Sequence, residues 1–209
     1  MMTKFCIAVI LAMCGIPLLA EADYQSGLTN ALHLFSSSRY WERMQSTNYI
    51  NALISSTTNA DRIAECRLLK AAVLVECVES ELDDAAYSEA TNLCATVKAE
   101  YSGRSDNWRL WGSILVDMQA LSAMEQYTNV YVVATNAIAL SPPVDFERAT
   151  NTWCALFGAD MPSRISLTEA FRINAADALI SIDRRADISA YTNGLSEAGM
   201  LAITDMLAK

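Results

Sequence analysis

The residues that could carry chemistry in this sequence are few and scattered. His33 is the only histidine, whereas a serine or cysteine nucleophile usually depends on a histidine base held beside it. No serine lies in a glycine-flanked elbow, and no glycine-rich loop resembles one that binds phosphate. Nucleophilic, acid–base and metal catalysis therefore lack their usual parts, and only catalysis by carboxylates alone stays open.

Acidic side chains cluster in one short segment: Glu76, Glu79, Glu81, Asp83 and Asp84. A calcium-binding loop needs alternating oxygen ligands and a glycine for its sharp turn, and this segment has no glycine. We interpret it as the solvated tip of a helical hairpin, with an aspartate capping the second helix.

Four cysteines follow residue 22: Cys66, Cys77, Cys94 and Cys154. On one helix, Cys66 and Cys77 lie about 16 Å apart, too far to form a disulfide with each other. Cys94 could meet one of them, but we favour four small buried hydrophobic residues. No pair has the spacing of metal ligands, so we predict neither a metal nor another cofactor.

Residues 1–22 resemble a secretory signal peptide. Lys4 precedes an apolar run from Cys6 to Ala20, and small residues at Ala20 and Ala22 fit cleavage before residue 23. A lipoprotein anchored through Cys14 is the alternative. We therefore predict a bacterial protein exported to the periplasm or medium, with residues 23–209 as a single helical-repeat domain. No later apolar run is long enough to span a membrane.

The clearest periodicity lies in residues 60–101. Apolar residues recur every three or four positions, which predicts two amphipathic helices packed as an antiparallel hairpin. The inner faces should carry Ala64, Leu68, Ala71, Val75, Val78 and Leu82, followed by Ala86, Ala90, Leu93, Val97 and Tyr101.

Similar patterns predict further helices on either side of this hairpin. Residues 23–38 are expected to be an extended lead-in with one short helix near Leu32, and residues 39–55 a helix. Gly103 is expected to end the hairpin in a left-handed conformation. Ser166 and Glu169 form a capping box that opens a later helix. With only 7 glycines and 4 prolines, the chain has few of the turn-forming residues that a β protein needs. We therefore predict an all-α fold class.

The helix pairs recur at about 40 residues, within the range of helical solenoids. Tyr127, Ala137, Leu140 and Pro142 lie at offsets that resemble the second helix and exit proline of the tetratricopeptide repeat, and Tyr87 resembles its start. The resemblance covers about two hairpins and departs from the family in its first helices and its longer period. It implies a short α-solenoid of antiparallel helical hairpins.

Charge excludes one class of partner and points to one stretch of the chain. A net charge of −9 and a pI near 4.6 argue against nucleic-acid binding, because phosphates require clustered lysine and arginine. From Gly103 to Pro142 the chain has only five charged residues. A central repeat covered by its neighbours explains this, but a binding groove would too. Its candidate contact residues are Arg104, Trp108, Arg109, Tyr127 and Tyr131.

The sequence thus favours a non-catalytic, exported module that binds a protein or peptide. Two alternatives remain open: a carboxylate-dependent cell-envelope enzyme acting on glycans, and a structural accessory subunit. An enzyme of that kind would have two carboxylates converging in a pocket, whereas a binding module would have an aromatic groove without them.

Overall fold

The computed structural model describes residues 23–37, 39–76, 84–143, 150–157 and 165–208. Within these ranges the chain forms helices and no strand, which confirms the all-α class. The predicted signal peptide, Cys77 and most of the acidic tip lie outside the described residues. The elements are α1 (23–35), α2 (Tyr40–Ser56), α3 (Ala60–Glu76), α4 (Asp84–Tyr101), α5 (Trp108–Ala123), α6 (Tyr127–Ala139), α7 (Thr150–Phe157), α8 (Leu167–Ser181), a 3-10 turn (Arg185–Asp187), α9 (Ser189–Thr192) and α10 (Glu197–Leu207).

The predicted extended lead-in is wrong, because residues 23–35 form a helix. Tyr24, Leu28, Ala31 and Phe35 follow one another at spacings of four, three and four, and all four are buried in the core. This spacing places them on one helical face. Polar residues on the other face hid the pattern in a segment that has few large apolar side chains.

Helices α3 and α4 pack as an antiparallel pair. Asp61, near the start of α3, accepts a hydrogen bond from the Tyr101 hydroxyl at the end of α4. Six residues further along α3, Arg67 Nη1 lies 2.6 Å from Glu100 Oε1. The inner face of α4 is rotated from the predicted one, since Cys94 is buried whereas Leu93 is only half-buried.

Helix α5 occupies the centre of the fold. It contacts α3, α4 and α6, and eleven of its sixteen residues are buried. Gly112 allows α3 to approach closely, because a Cβ atom there would lie 2.9 Å from Leu68 Cδ2. The charge-poor stretch therefore begins with a helix that has almost no solvated face.

The contacts of the later helices extend beyond sequence neighbours. Helix α6 packs on α8, α8 packs on α10, and α7 reaches back to α3. A strictly linear array keeps each repeat in contact with its neighbours alone, so the α3–α7 contact departs from that pattern. None of the described helices is both long and apolar enough to cross a membrane.

Helix ends follow the expected cap chemistry at α8 and depart from it after α4. The capping box is confirmed: Glu169 N donates to Ser166 Oγ at 3.2 Å, and Ser166 N donates to Glu169 Oε2 at 3.1 Å. Gly103 does not have the predicted left-handed backbone. Positive φ angles occur instead just after α5, α6 and α8, at three residues other than glycine, for which this conformation has a steric cost: Glu125, Ser141 and Asp183.

Candidate functional site

Three of the five predicted contact residues lie where α3, α4 and α5 meet. Trp108 is buried at 3% exposure and stacks edge-on against Trp153 with 6.4 Å between ring centroids. Trp108 is therefore not an exposed aromatic side chain. Arg109 donates from Nε to the Asp61 carbonyl oxygen at 2.9 Å, and its side chain is largely buried. Arg104 is exposed and lies 3.7 Å from an Asp61 carboxylate oxygen.

The other two predicted residues, Tyr127 and Tyr131, lie on α6 and are half-buried against the core. The hydroxyl groups of Tyr131 and Tyr191 are 2.9 Å apart, and their rings meet edge-on with 6.0 Å between centroids. Tyr131 thereby packs α6 against α9. Tyr127 and Tyr131 do not form the aromatic groove that the sequence suggested together with Trp108.

A groove does open in the charge-poor stretch, at a different set of side chains. It has a volume of about 300 Å³ and lies between α4, α5 and α6. Its size falls at the lower end of known ligand sites, which are mostly apolar with a few polar groups. We call it the α4–α6 groove, and it is lined by Lys98, Ser102, Leu110, Ile114, Val133, Asn136, Ala137 and Leu140.

The helical register explains how the α4–α6 groove forms. Leu110 and Ile114 are one turn apart near the start of α5, and Val133, Ala137 and Leu140 recur at four and three residues along α6 and its C-cap. The shared lining shows that the start of α5 lies beside the end of α6, as in an antiparallel pair. Leu140 is 57% exposed at the mouth of the groove, where it leaves apolar surface in contact with water.

The positive charge of Lys98, which lines the α4–α6 groove, is balanced by the buried carboxylate of Asp117. Lys98 Nζ lies 2.5 Å from Asp117 Oδ2, and the Asp117 side chain is almost fully buried. The lining contains one cation, a serine and an asparagine, and no carboxylate. Such a surface can accept an apolar group and hydrogen-bond to a polar one. It does not contain the paired carboxylates of a glycosidase.

A second polar constellation, which the sequence analysis missed, surrounds Glu65 on α3. Glu65 accepts hydrogen bonds from the Thr152 hydroxyl of α7 and from the Tyr24 hydroxyl of α1, the latter at 3.5 Å. Arg109 Nη2 of α5 lies 3.8 Å from its Oε2 atom. Cys66 Sγ lies 3.8 Å from the Tyr24 hydroxyl. We call these five residues the Glu65 cluster: Tyr24, Glu65, Cys66, Arg109 and Thr152.

The Glu65 cluster is suited to holding helices together rather than to nucleophilic chemistry. Burial raises the pKa of the Cys66 thiol to about 11, and burial with the nearby Glu65 charge raises the pKa of Tyr24 well above its usual range. Both groups therefore stay protonated near neutral pH, and only a thiolate is a good nucleophile. The sequence does contain a signal for this cluster: Glu65 interrupts a helical face made of Ala64, Leu68 and Ala72.

Asp61 contacts both the exposed Arg104 and the buried Arg109 of the Glu65 cluster. The hydrogen bond from Tyr101, followed by the charges of Arg109 and Arg104, lowers the Asp61 pKa against the opposing effect of burial. Burial and the bond to Asp61 raise the pKa of Tyr101 to about 12. Both shifts favour the state in which a neutral tyrosine donates to an ionised aspartate.

We expect Asp61→Asn to reduce the free energy of unfolding at neutral pH, with the difference from wild type shrinking in acid. The folded-state pKa of Asp61 is below its ordinary value of 3.8, so its contribution is present above that value and lost as pH falls through the folded pKa. Urea titrations at several pH values measure this. Asp106→Asn, at an exposed site, is the control, and a pH-independent difference for Asp61→Asn would contradict the assignment.

The remaining cysteines and acidic residues form no metal-binding arrangement where the chain is described. Cys66 and Cys94 are buried free thiols and Cys154 is a half-buried one. Across the described ranges, no three His, Cys, Asp or Glu side chains converge as metal ligands would.

Comparison with known proteins gives no relative from which residue roles could be carried over. No protein-family model matches the chain. Searches of curated proteins and of solved structures likewise find no significant match.

Proposed function

We propose that this chain is an exported, non-catalytic module that binds a protein or peptide segment in the α4–α6 groove. The observation that carries the proposal is the lining of that groove: five aliphatic side chains with Lys98, Ser102 and Asn136 among them. Peptide-binding grooves on helical proteins use apolar pockets for anchor side chains and a few polar groups for orientation.

The composition of the α4–α6 groove favours binding over the carboxylate-dependent enzyme. Such an enzyme needs an acid and a base facing one cavity, and none of the eight lining residues is Asp or Glu. Glu65 and Asp61 are instead engaged by Arg109, Thr152 and Tyr101. The structural accessory subunit is the second alternative, and it predicts no ligand in the groove.

The architecture and location belong to the same proposal. The antiparallel packing of α3 with α4 and of α5 with α6 supports a short array of helical hairpins similar to tetratricopeptide repeats. The apolar segment from Cys6 to Ala20 supports export of the mature domain from a bacterial cytoplasm.

A matched pair of exposed residues on one helical stretch tests the groove. Leu140 lines it and is 57% exposed, whereas Val132 is 48% exposed on α6 and is not among its lining residues. For peptides selected from a random display library, we expect Leu140→Ala to weaken binding by about 1–2 kcal/mol through lost apolar contact. Val132→Ala should leave affinity unchanged, and isothermal titration calorimetry measures both.

Stability must be followed alongside affinity in this experiment. Because both side chains are about half exposed, each substitution should change the free energy of unfolding by no more than about 0.5 kcal/mol. Chemical shifts of the Ile114 methyl groups report directly on occupancy of the α4–α6 groove. Selected peptides that bind both variants equally, without shifting Ile114, would place binding elsewhere and overturn the proposal.

A further inference from the structure

Helix α2 has an outer face that contains no charged residue. Ile50 and Leu53 turn inward, and α2 packs on α3. The opposite face exposes residues at spacings of four, three, four and three, which places them in one line along the helix. We call this line the α2 stripe, and it consists of Trp41, Gln45, Asn48, Ala52 and Ser55, all exposed.

Aromatic side chains on this face leave a large apolar area in water. Trp41 is 53% exposed, and beside the α2 stripe Tyr49 is 44% exposed. The outer helices of a helical array normally present polar faces to remain soluble. Depletion of charge combined with exposed tryptophan and tyrosine is instead typical of the centre of a protein–protein interface.

We infer that the α2 stripe is a self-association surface that pairs α2 antiparallel with α2 of a second copy. Asn48 is the midpoint of Tyr40–Ser56, so a twofold axis there overlaps the two helices along their whole length. Trp41 of one copy then faces Ala52 and Ser55 of the other, a large side chain against two small ones. The two Asn48 amides meet on the axis, where each can donate to and accept from the other.

Charge at the helix ends also fits this antiparallel pairing. Arg39 is exposed at the N-terminal end of α2, where its Nη1 also lies 3.1 Å from Glu42 Oε1, while the last turn of α2 has no basic residue. Its final carbonyl groups form the negative end of the helix dipole. In the proposed pair, Arg39 of each copy approaches that negative end in the other. The chain has a net charge of −9, but the α2 stripe itself has no charged residue. Pairing two stripes therefore brings no like charges into direct contact.

The pairing goes beyond the proposed function and uses a different surface, so each can fail without the other. One helix pair covers less than a standard interface of about 1,600 Å², and we expect dissociation in the micromolar range. Sedimentation velocity of the mature domain across micromolar concentrations should show a monomer–dimer equilibrium. Trp41→Ala should weaken it by about thirtyfold, whereas Val132→Ala, an exposed apolar residue on α6, should not.

Cysteine cross-linking tests the register. Helices packed 8–10 Å apart bring facing Cα atoms on a twofold axis within about 7 Å, close enough for a disulfide. Mild oxidation of Asn48→Cys should therefore give a covalent dimer. Asn92→Cys, an exposed position within α4, and the wild-type protein serve as controls. A monomer at every concentration, or equal cross-linking of Asn48→Cys and Asn92→Cys, would overturn the inference and leave the α2 stripe to a different protein.

Discussion

Glu65→Ala is expected to destabilise the folded protein by about 3–5 kcal/mol, because it removes a buried carboxylate that lies 3.8 Å from the buried Arg109 guanidinium. Two further groups lose their acceptor, the Thr152 and Tyr24 hydroxyls. Buried donors without partners cost free energy even when the cavity is small. Urea unfolding followed by far-UV circular dichroism measures the change.

Two companion variants separate the buried network from the loss of any ion pair. Glu89 lies 2.8 Å from Lys70 Nζ and is half exposed, so Glu89→Ala should cost no more than about 1 kcal/mol. Glu65→Gln retains the shape and one acceptor oxygen, and its cost should fall between the two. A loss below about 1 kcal/mol for Glu65→Ala would show that the Glu65 cluster does not hold the fold together.

The Glu65 cluster shows why the interior could be predicted only in part from the sequence. Periodicity assigns a polar residue to solvent unless its partner is known, and the partners of Glu65 come from α1, α5 and α7, up to 87 positions away. Trp108 is a similar case. Its type and its charge-poor surroundings suited a binding surface, but α7 supplies Trp153 to cover it. Such tertiary contacts are invisible to local pattern.

Sequence patterns predicted the structure correctly where the interaction involves residues close together in the chain. The capping box at Ser166 needs only two side chains three residues apart. The run from Val130 to Val133 is rich in β-prone residues and is nevertheless helical, because Val130, Val133 and Ala137 continue a three- and four-residue apolar spacing. The charge-poor stretch was correctly associated with burial, since α5 is enclosed, and the α4–α6 groove lies along the same stretch. Its aliphatic lining could not be separated from core by residue type alone.

Val97→Asp should unfold a large part of the protein, while Leu93→Asp, one turn away on the same helix, should be tolerated better. The sequence placed both side chains on the inner face of α4, but Val97 is fully buried and Leu93 half-buried. Losing the valine contacts and burying an unpaired carboxyl group costs roughly 3–6 kcal/mol at Val97. That is on the order of the whole stability of a domain, about 5–15 kcal/mol. A carboxylate at Leu93 can turn to water, so we expect a loss of about 1–2 kcal/mol there. Thermal melts and urea titrations of the two variants decide the matter: equal losses, or a larger one for Leu93→Asp, would mean that α4 faces the core through Leu93.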